Sequence, residues 1–346
     1  MVNCRSIPVF IFFSFFTIAI HGCAKDKNVL LTIDDNSIRN PVSPNGADPW
    51  VTAREGWYYY SYSRANSVWV NRASRLQDAV QQTGKTVWTP STGQPCSRDL
   101  WAPELHFLNG KWYIYVAADD GLNQNHRMVV LESATGDPQG SYILRGKLAA
   151  ATDKWAIDGT VMVRNGRMYF IWSGWEGDQN VQQNLYIASM KDPASIDGER
   201  VLISKPQYPW EKIGNPLINE GPEVLSKGER VFVVYSASGS WTDSYCLGQL
   251  TLVGSNPLDP AAWKKKETPV FTGTASVISP GHASFTKSPD GTENWIVYHA
   301  AKRPGAGWNR NVRMQRFTWD TEGNPVFGDP VPPDVPIAPP SGKNTE

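Results

Sequence analysis

Short runs of aromatic and β-branched residues follow one another along most of the chain. Turns that are rich in Gly, Asn, Asp and Pro separate these runs, and many of the runs alternate between apolar and polar positions. Almost nowhere do apolar residues recur over a long stretch at the spacing of an amphipathic helix. This pattern is typical of β-strands and predicts an all-β fold.

The strands recur in five similar units. The units open near residues 48, 102, 158, 220 and 281, a period of roughly 55 to 60 residues. Each unit has a short first strand, a Gly-containing turn, a very apolar second strand and an alternating third strand. Asn109-Gly110 and Asn165-Gly166 are strong hairpin signals, because both residues of such a turn adopt positive φ. A β-sandwich is also all-β, but a regular period without helices indicates a five-bladed β-propeller.

The N-terminal segment differs from the repeats. Met1–Arg5 carries one positive charge, and a nearly unbroken apolar run extends over Ile7–Ile20. That run is shorter than the roughly 20 residues of a membrane span, and its layout is that of a secretory signal. Ile20-His21-Gly22-Cys23 resembles a bacterial lipobox, although a cleaved signal without a lipid is the alternative. We expect residues 1–23 to be a signal peptide and residues 24–346 to form one propeller domain.

The composition of the chain narrows the choice of binding partners. The 33 basic and 33 acidic side chains cancel, so charge gives no reason to expect nucleic acid or an anionic membrane as a partner. A neutral glycan fits better. If Cys23 is lipidated, Cys96 and Cys246 remain as free thiols or as one disulfide. No Cys and His spacing indicates a zinc site.

Three carboxylates stand in the unit openings, where the first strand of each blade lines the central channel. They are Asp48, Asp158 and Glu220, and each is followed within two residues by Pro or Gly. A single Asp before Pro is usually a turn cap, but three acids at repeat openings favour a chemical role. Acids that converge on one axis repel one another, so their pKa values separate, as acid/base chemistry at neutral pH requires.

The segments around these acids resemble glycoside hydrolase family 43. The similar segments, in order and with family-like spacing, are Ala47–Trp50, Leu100–Glu104, Ile157–Thr160, Asn219–Pro222 and Ser279–Phe285. The resemblance implies that Asp48 is a general base, that Glu220 is the general acid, and that Asp158 raises the pKa of the acid and holds it in place. It also implies inversion of configuration, for which the two carboxyls stand about 6.5 to 9.5 Å apart.

The resemblance also suggests binding residues. His282 corresponds to a family histidine near a channel cation, often calcium, which we expect to be structural and mostly hydrated because imidazole is a poor ligand for a hard cation. No cofactor is required for the chemistry. Arg310 corresponds to an arginine that contacts the sugar, with Arg313 as a competitor. Four tryptophans at openings or blade connections are candidates for stacking on the sugar: Trp50, Trp101, Trp175 and Trp241.

Within the family, the chain is most similar to exo-acting α-L-arabinofuranosidases. We therefore expect an exported, monomeric lipoprotein, periplasmic or on the outer membrane of a bacterium, that releases terminal α-L-arabinofuranose from arabinan or arabinose-decorated plant polysaccharides. A β-xylosidase or a galactan-active exo-hydrolase is an alternative, although the galactan-active branch tends to lack the base that Asp48 supplies. A glycan-binding propeller without activity is a further alternative, against which the three intact carboxylates argue.

Overall fold

Twenty strands build the part of the chain that the computed structural model describes, residues 36–342. The predicted signal peptide and the lipobox-like Cys23 lie outside the described residues. The strands form five antiparallel sheets of four strands each, so the structure is the predicted five-bladed β-propeller. Between residues 36 and 342, no helix is long and apolar enough to cross a membrane.

The blades follow one another in chain order, and each consists of four consecutive strands. Blade 1 contains β1 (Trp50–Arg54), β2 (Trp57–Arg64), β3 (Ser67–Ala73) and β4 (Lys85–Trp88); blade 2 contains β5 (Arg98–Leu108), β6 (Lys111–Asp119), β7 (Arg127–Ser133) and β8 (Tyr142–Lys147); blade 3 contains β9 (Ala156–Arg164), β10 (Arg167–Trp175), β11 (Gln183–Asp192) and β12 (Ser195–Ser204); blade 4 contains β13 (Asn219–Lys227), β14 (Arg230–Ala237), β15 (Cys246–Leu252) and β16 (Trp263–Lys265); blade 5 contains β17 (Ile278–Lys287), β18 (Asn294–Ala301), β19 (Arg310–Trp319) and β20 (Pro325–Val326). One short helix, α1 (Leu76–Gln81), connects β3 to β4.

The predicted hairpin turns form as their sequences require. Asn109 has a φ of 49° and Gly110 a φ of 80°, and Asn165 and Gly166 have φ values of 51° and 73°. Asn tolerates this left-handed conformation and Gly adopts it freely, so both dipeptides fit two-residue turns between twisted strands. These turns fix the register of the first and second strands of blades 2 and 3.

The fourth strand of each blade was not predicted. In four blades these strands are short and each has at least one exposed residue: β4, β8, β16 and β20. An outer strand is an edge that carries polar residues and pairs on one side only, so it leaves little hydrophobic pattern in the sequence.

The hydrophobic core lies between neighbouring blades. For example, Ile171 of blade 3 packs in one cluster with Val233 of blade 4, and Trp295 of blade 5 packs with Tyr58 of blade 1. The five first strands adjoin one another in chain order, and β17 adjoins β1, so the ring is closed around a central channel. Each blade therefore holds its first strand, and any side chain on it, at a fixed angle to the channel axis.

The two ends of the described chain close the ring through hydrogen bonds. Ile38 and Ile337 exchange backbone hydrogen bonds of 2.8 and 2.9 Å. Ser43 pairs in the same way with Val312 of β19, at 3.2 and 3.0 Å. The segment that leads into blade 1 is thus attached to blade 5, which fixes the position of Asp48 a few residues later.

Candidate active site

A left-handed residue marks the same place in every blade, beside the channel. The equivalent positions have φ values between 42° and 53° and are occupied by Asp48, Ala102, Asp158, Gly221 and His282. In blades 2 to 5 the pairing of the first strand with the second is irregular there, as in a β-bulge. A bulge re-aims side chains, and three of these five residues, Asp48, Asp158 and His282, line one cavity. Glu220 lies one residue before the shared position, so the three carboxylates are not strictly equivalent in the repeat.

The three carboxylates line one cavity of about 710 Å³ at the mouth of the channel. His282 and Arg310 of blade 5 line it too. The remaining wall includes four tryptophans, from the loops or strand ends of blades 2 to 5: Trp101, Trp155, Trp241 and Trp308. The cavity therefore combines acids, a guanidinium group and flat aromatic surfaces, the mixed lining of a ligand-binding cleft.

Asp48 is surrounded by nitrogen atoms. Its Oδ1 lies 3.1 Å from Nδ1 of His282, 3.3 Å from Nδ1 of His299 and 3.7 Å from Nη1 of Arg310. Burial alone would raise the pKa of Asp48, but the charge of His282 first, and that of Arg310 as well, outweigh burial and hold that pKa well below its usual range. Asp48 is therefore ionised, with its lone pairs available beside the cavity.

Asp158 and Glu220 have the opposite character. Their side chains are nearly fully buried, and burial is the main cause that raises the pKa of both. Glu220 reinforces the effect on Asp158, whose pKa rises to about 8 although His282 opposes the shift. Oδ2 of Asp158 accepts a hydrogen bond of 3.1 Å from the N–H of Gly221, which joins the two acids. Two close buried carboxyls cannot both ionise easily, so the pair retains a proton at neutral pH.

The cavity thus holds one ionised carboxylate and a neighbouring pair that keeps a proton. A general base needs the first, and a general acid needs the second. When environments push the pKa values of two acids apart in this direction, the arrangement can protonate one atom of a bound molecule and deprotonate a water in the same step. Acid/base cleavage of a bond is therefore the chemistry that the arrangement supports.

One ring nitrogen of His282 already faces carboxylate oxygens. Its Nδ1 faces Oδ1 of Asp48 at 3.1 Å and Oδ2 of Asp158 at 3.9 Å. Burial would lower the pKa of His282, but Asp48, Asp158 and Glu220 raise it. Only Nε2 is left for a cation, and residues 36–342 contain no group of three or more His, Cys, Asp or Glu side chains suited to hold a metal. The site fits, at most, a cation bound to one imidazole nitrogen and otherwise to water.

The structure separates the two competing arginines. Arg310 lines the cavity, and its Nη2 donates a hydrogen bond of 2.8 Å to the carbonyl of Ser240. Arg313 instead donates to Oδ1 of Asn311 at 3.0 Å and does not line the cavity. Of the two arginines, Arg310 is therefore the one that faces the cavity.

The tryptophans that the sequence singled out divide into two groups. Trp101 and Trp241 line the cavity, and the ring of Trp101 stacks on His126 at 3.9 Å between centroids. Trp50 does not line it, since its Nε1 donates to the carbonyl of Leu105. Trp175 is 3% exposed and stacks behind Trp155, with the ring centroids 4.7 Å apart. The structure therefore brings together seven of the nine predicted site residues and leaves Trp50 and Trp175 outside the cavity.

Two cavity tryptophans escaped the sequence analysis. Trp155 directly precedes β9, a blade connection of the kind that already pointed to Trp101, so the same signal could have found it. Trp308 lies in the loop between β18 and β19, is 69% exposed, and is fixed by a hydrogen bond of 3.1 Å from its Nε1 to Oγ of Ser240. Nothing in its local sequence distinguishes it from an ordinary loop residue.

The two remaining cysteines are not part of the site. Cys96 is half-buried and Cys246 is buried, and both thiols are free. The disulfide that the sequence left open is therefore not formed in this structure.

Comparison with known proteins places these features in a family. Residues 38–325 match the model of the glycosyl hydrolases family 43. The chain is 36% identical over 307 residues to an extracellular exo-alpha-(1->5)-L-arabinofuranosidase of Streptomyces avermitilis, and 34% identical over 300 residues to alpha-L-arabinofuranosidase 43 of Humicola insolens. The matches cover 84% and 83% of this chain, but only 63% and 62% of those relatives.

A solved structure agrees with the sequence comparisons. The crystal structure of an alpha-L-arabinofuranosidase from Lactobacillus brevis superposes with a TM-score of 0.80 at 34% sequence identity. The superposition covers 86% of this chain and 98% of that protein. The similarity therefore extends across the whole ring of blades.

Proposed function

This chain belongs to the glycosyl hydrolases of family 43, and we propose that it is an inverting exo-α-L-arabinofuranosidase. The observation that carries the proposal is the pairing, in one cavity, of an ionised Asp48 with a buried Asp158 and Glu220 that retain a proton. The arabinofuranosidases among the relatives support the choice of sugar. The proposed substrates are arabinan and arabinose-decorated plant polysaccharides.

The proposed reaction is a single displacement at the anomeric carbon. Asp48 accepts a proton from a water that attacks this carbon, while Glu220 gives its proton to the leaving glycosidic oxygen. Asp158 keeps Glu220 protonated before the reaction, because a second negative charge beside it is unfavourable. Arg310 binds the terminal sugar. Attack opposite the leaving group converts an α-arabinofuranoside into the β-anomer of arabinose.

The aromatic wall of the cavity supports a sugar as the ligand. Trp101, Trp155, Trp241 and Trp308 offer apolar ring faces that can pack against the C–H faces of a furanose or of the next residue of a polysaccharide. The chemistry requires no cofactor. A hydrated cation bound by Nε2 of His282, such as calcium, would supply positive charge beneath the carboxylates and would require a neutral His282.

We also propose that the protein is exported as a monomeric lipoprotein. Two relatives from Streptomyces are described as extracellular, which supports export. The apolar run before Cys23 and the lipobox-like residues that end in it support a lipid anchor on a bacterial surface or in the periplasm. A [³H]palmitate label that enters the protein but not a Cys23→Ala variant is the expected result, and equal labelling of both would contradict the anchor.

The activity is tested with matched aryl glycosides and natural oligosaccharides. The purified protein is incubated with 4-nitrophenyl α-L-arabinofuranoside, with 4-nitrophenyl β-D-xyloside and with arabino-oligosaccharides, and the released sugars are separated by chromatography. We expect arabinose from the first and third substrates, and we expect little from an Asp48→Asn variant. Release of xylose alone would identify a β-xylosidase. Binding of arabinan without release of any sugar would identify a glycan-binding protein.

A further inference from the structure

The hydroxyl of Tyr245 contacts the proposed acid directly. It donates a hydrogen bond of 2.8 Å to Oε1 of Glu220. The tyrosine directly precedes β15, is 1% exposed and stacks nearly parallel to His299, with an interplanar angle of 14°. On another side, a Cβ atom at Gly281 would lie only 2.2 Å from a ring carbon of Tyr245. The ring is closely enclosed, so the hydrogen bond to Glu220 is built into the fold.

A chain of hydrogen bonds fixes the direction in which Tyr245 donates. Oγ of the fully buried Ser236 accepts a hydrogen bond of 2.8 Å from the backbone N–H of His282. Because a backbone N–H can only donate, the proton of the Ser236 hydroxyl is left for the next partner, and this side chain is hydrogen-bonded to Tyr245. Tyr245 accepts from Ser236 and donates to Glu220. In this arrangement the donors run in one direction, from the N–H of His282 through Ser236 and Tyr245 to Glu220.

We propose that Tyr245, oriented by Ser236, is a positioning residue that occupies Oε1 of Glu220 and leaves Oε2 as the oxygen that carries the proton to the leaving group. The proposal rests on the proposed role of Glu220 as the acid. A carboxyl whose one oxygen accepts a permanent donor keeps its own proton on the other oxygen. Burial holds the pKa of the Tyr245 phenol well above its usual value, so the donor stays protonated over the working pH range of the enzyme.

The surroundings of Glu220 give the sign of the expected effect. Burial raises the pKa of Glu220 most strongly, and the hydrogen bond from Tyr245 is the first influence that lowers it. Four charged or titratable groups also face this carboxyl: Asp48, Asp158, His282 and Arg310. Loss of the Tyr245 hydroxyl alone removes a lowering influence and leaves the others in place. The pKa of Glu220 must then rise.

The test is Tyr245→Phe, which removes the hydroxyl and keeps the ring. Glu220 becomes ionised as it gives up its proton, so on an arabino-oligosaccharide we expect kcat/KM to fall about ten- to hundredfold, the usual effect of losing a hydrogen bond to an ionised group, with KM almost unchanged. In a plot of kcat/KM against pH, the fall at high pH reports the pKa of the acid, and this basic limb should move to higher pH. An arabinofuranoside with a dinitrophenyl leaving group needs no proton from the acid and should lose little. Ser236→Ala should shift the basic limb in the same direction by less, because a hydroxyl that accepts no hydrogen bond is a weaker donor.

Tyr115→Phe is the matched control. Tyr115 is fully buried in blade 2, and its hydroxyl donates a hydrogen bond of 2.7 Å to the carbonyl of Pro193, outside the cavity. This variant should keep the wild-type pH profile. An unmoved basic limb in Tyr245→Phe, equal losses on both leaving groups, or the same profile change in the control would overturn the proposal.

A substrate-free measurement separates this proposal from the proposed function. Glutamate labelled with ¹³C in the carboxyl group reports the titration of Glu220 by NMR, with the signal assigned from a Glu220→Gln variant. The midpoint should be higher in Tyr245→Phe than in the wild type, whichever sugar the enzyme releases. If the midpoint rises but no arabinoside is hydrolysed, the assigned activity fails and the positioning role stands. If arabinosides are hydrolysed but the midpoint does not rise, the positioning role fails.

Discussion

Replacing Glu220 with Gln separates the chemical role of this side chain from its structural role. The amide has the same shape, and its oxygen can still accept the hydrogen bond that Tyr245 donates at 2.8 Å. Since Glu220 is 8% exposed, little water can supply the missing proton. General acid catalysis contributes about 10²- to 10⁴-fold, which corresponds to about 3 to 5 kcal/mol of transition-state stabilisation. We expect a loss of that size on arabino-oligosaccharides.

The same variant should not unfold the protein. Because burial raises the pKa of Glu220 above its value in the unfolded chain, ionisation at neutral pH favours the unfolded state. Gln carries no charge, so the variant should be at least as stable as the wild type at neutral pH. Its Tm at neutral pH should therefore be equal to that of the wild type or higher. The difference should disappear as the pH falls below the pKa of a free glutamate, since Glu220 is then protonated in both states.

Two measurements on matched proteins check this prediction. Rates are compared between arabino-oligosaccharides and dinitrophenyl α-L-arabinofuranoside, and thermal unfolding is followed at neutral and acidic pH. Glu223→Gln is the control, because Glu223 is 4% exposed and also lies on β13 but does not line the cavity. It should retain most of the activity. A Glu220→Gln variant that loses less than tenfold on oligosaccharides, or that loses equally on both substrates, would refute the role of Glu220 as acid.

Three further predictions concern Asp158, the cavity residue Trp308 and the buried ion pair of Lys265 with Glu211. Asp158→Asn removes the second carboxyl of the pair, whose presence makes full ionisation of the pair unfavourable, so the basic limb of the kcat/KM profile should move to lower pH; a move to higher pH would contradict the assigned role of Asp158. Trp308→Ala should leave Tm unchanged and raise KM for arabino-oligosaccharides about fivefold, as expected for the loss of about 1 kcal/mol of ring packing, with less effect on aryl arabinofuranosides; an equal effect on both would place the ring elsewhere. Lys265→Met leaves the fully buried Glu211 without its 2.7 Å ion pair, so thermal unfolding should show a loss of about 3 to 5 kcal/mol, which a second change of Glu211 to Gln should largely restore.

The architecture could be predicted because local and global signals agree. Turn dipeptides such as Asn109-Gly110 fix hairpins on their own, and the spacing of the unit openings then counts the blades. Once the fold is known, the first strand of each blade must line the channel. The convergence of Asp48, Asp158 and His282 follows from the repeat, since all three occupy the same left-handed position beside a bulge or strand start.

Other features of the site could not be read from the repeat alone, because they depend on side-chain directions that the repeat does not fix. Glu220 precedes the shared left-handed position of the blades by one residue. Only the bulge at Gly221 and Pro222 shows how its side chain still reaches the cavity. Trp50 and Trp175 stand at similar places in the sequence to Trp101, yet both pack inward, away from the cavity. The contact between Tyr245 and Glu220 joins residues 25 positions apart, so neither local pattern indicates the other.

The stereochemistry of the first product tests the central claim most directly. A water activated by Asp48 must attack from the side opposite the leaving group that Glu220 protonates. Time-resolved ¹H NMR of arabino-oligosaccharide hydrolysis, recorded before the anomers equilibrate, should therefore show β-L-arabinofuranose first. Initial accumulation of the α-anomer would mean that configuration is retained, and it would contradict the roles assigned to both carboxylates.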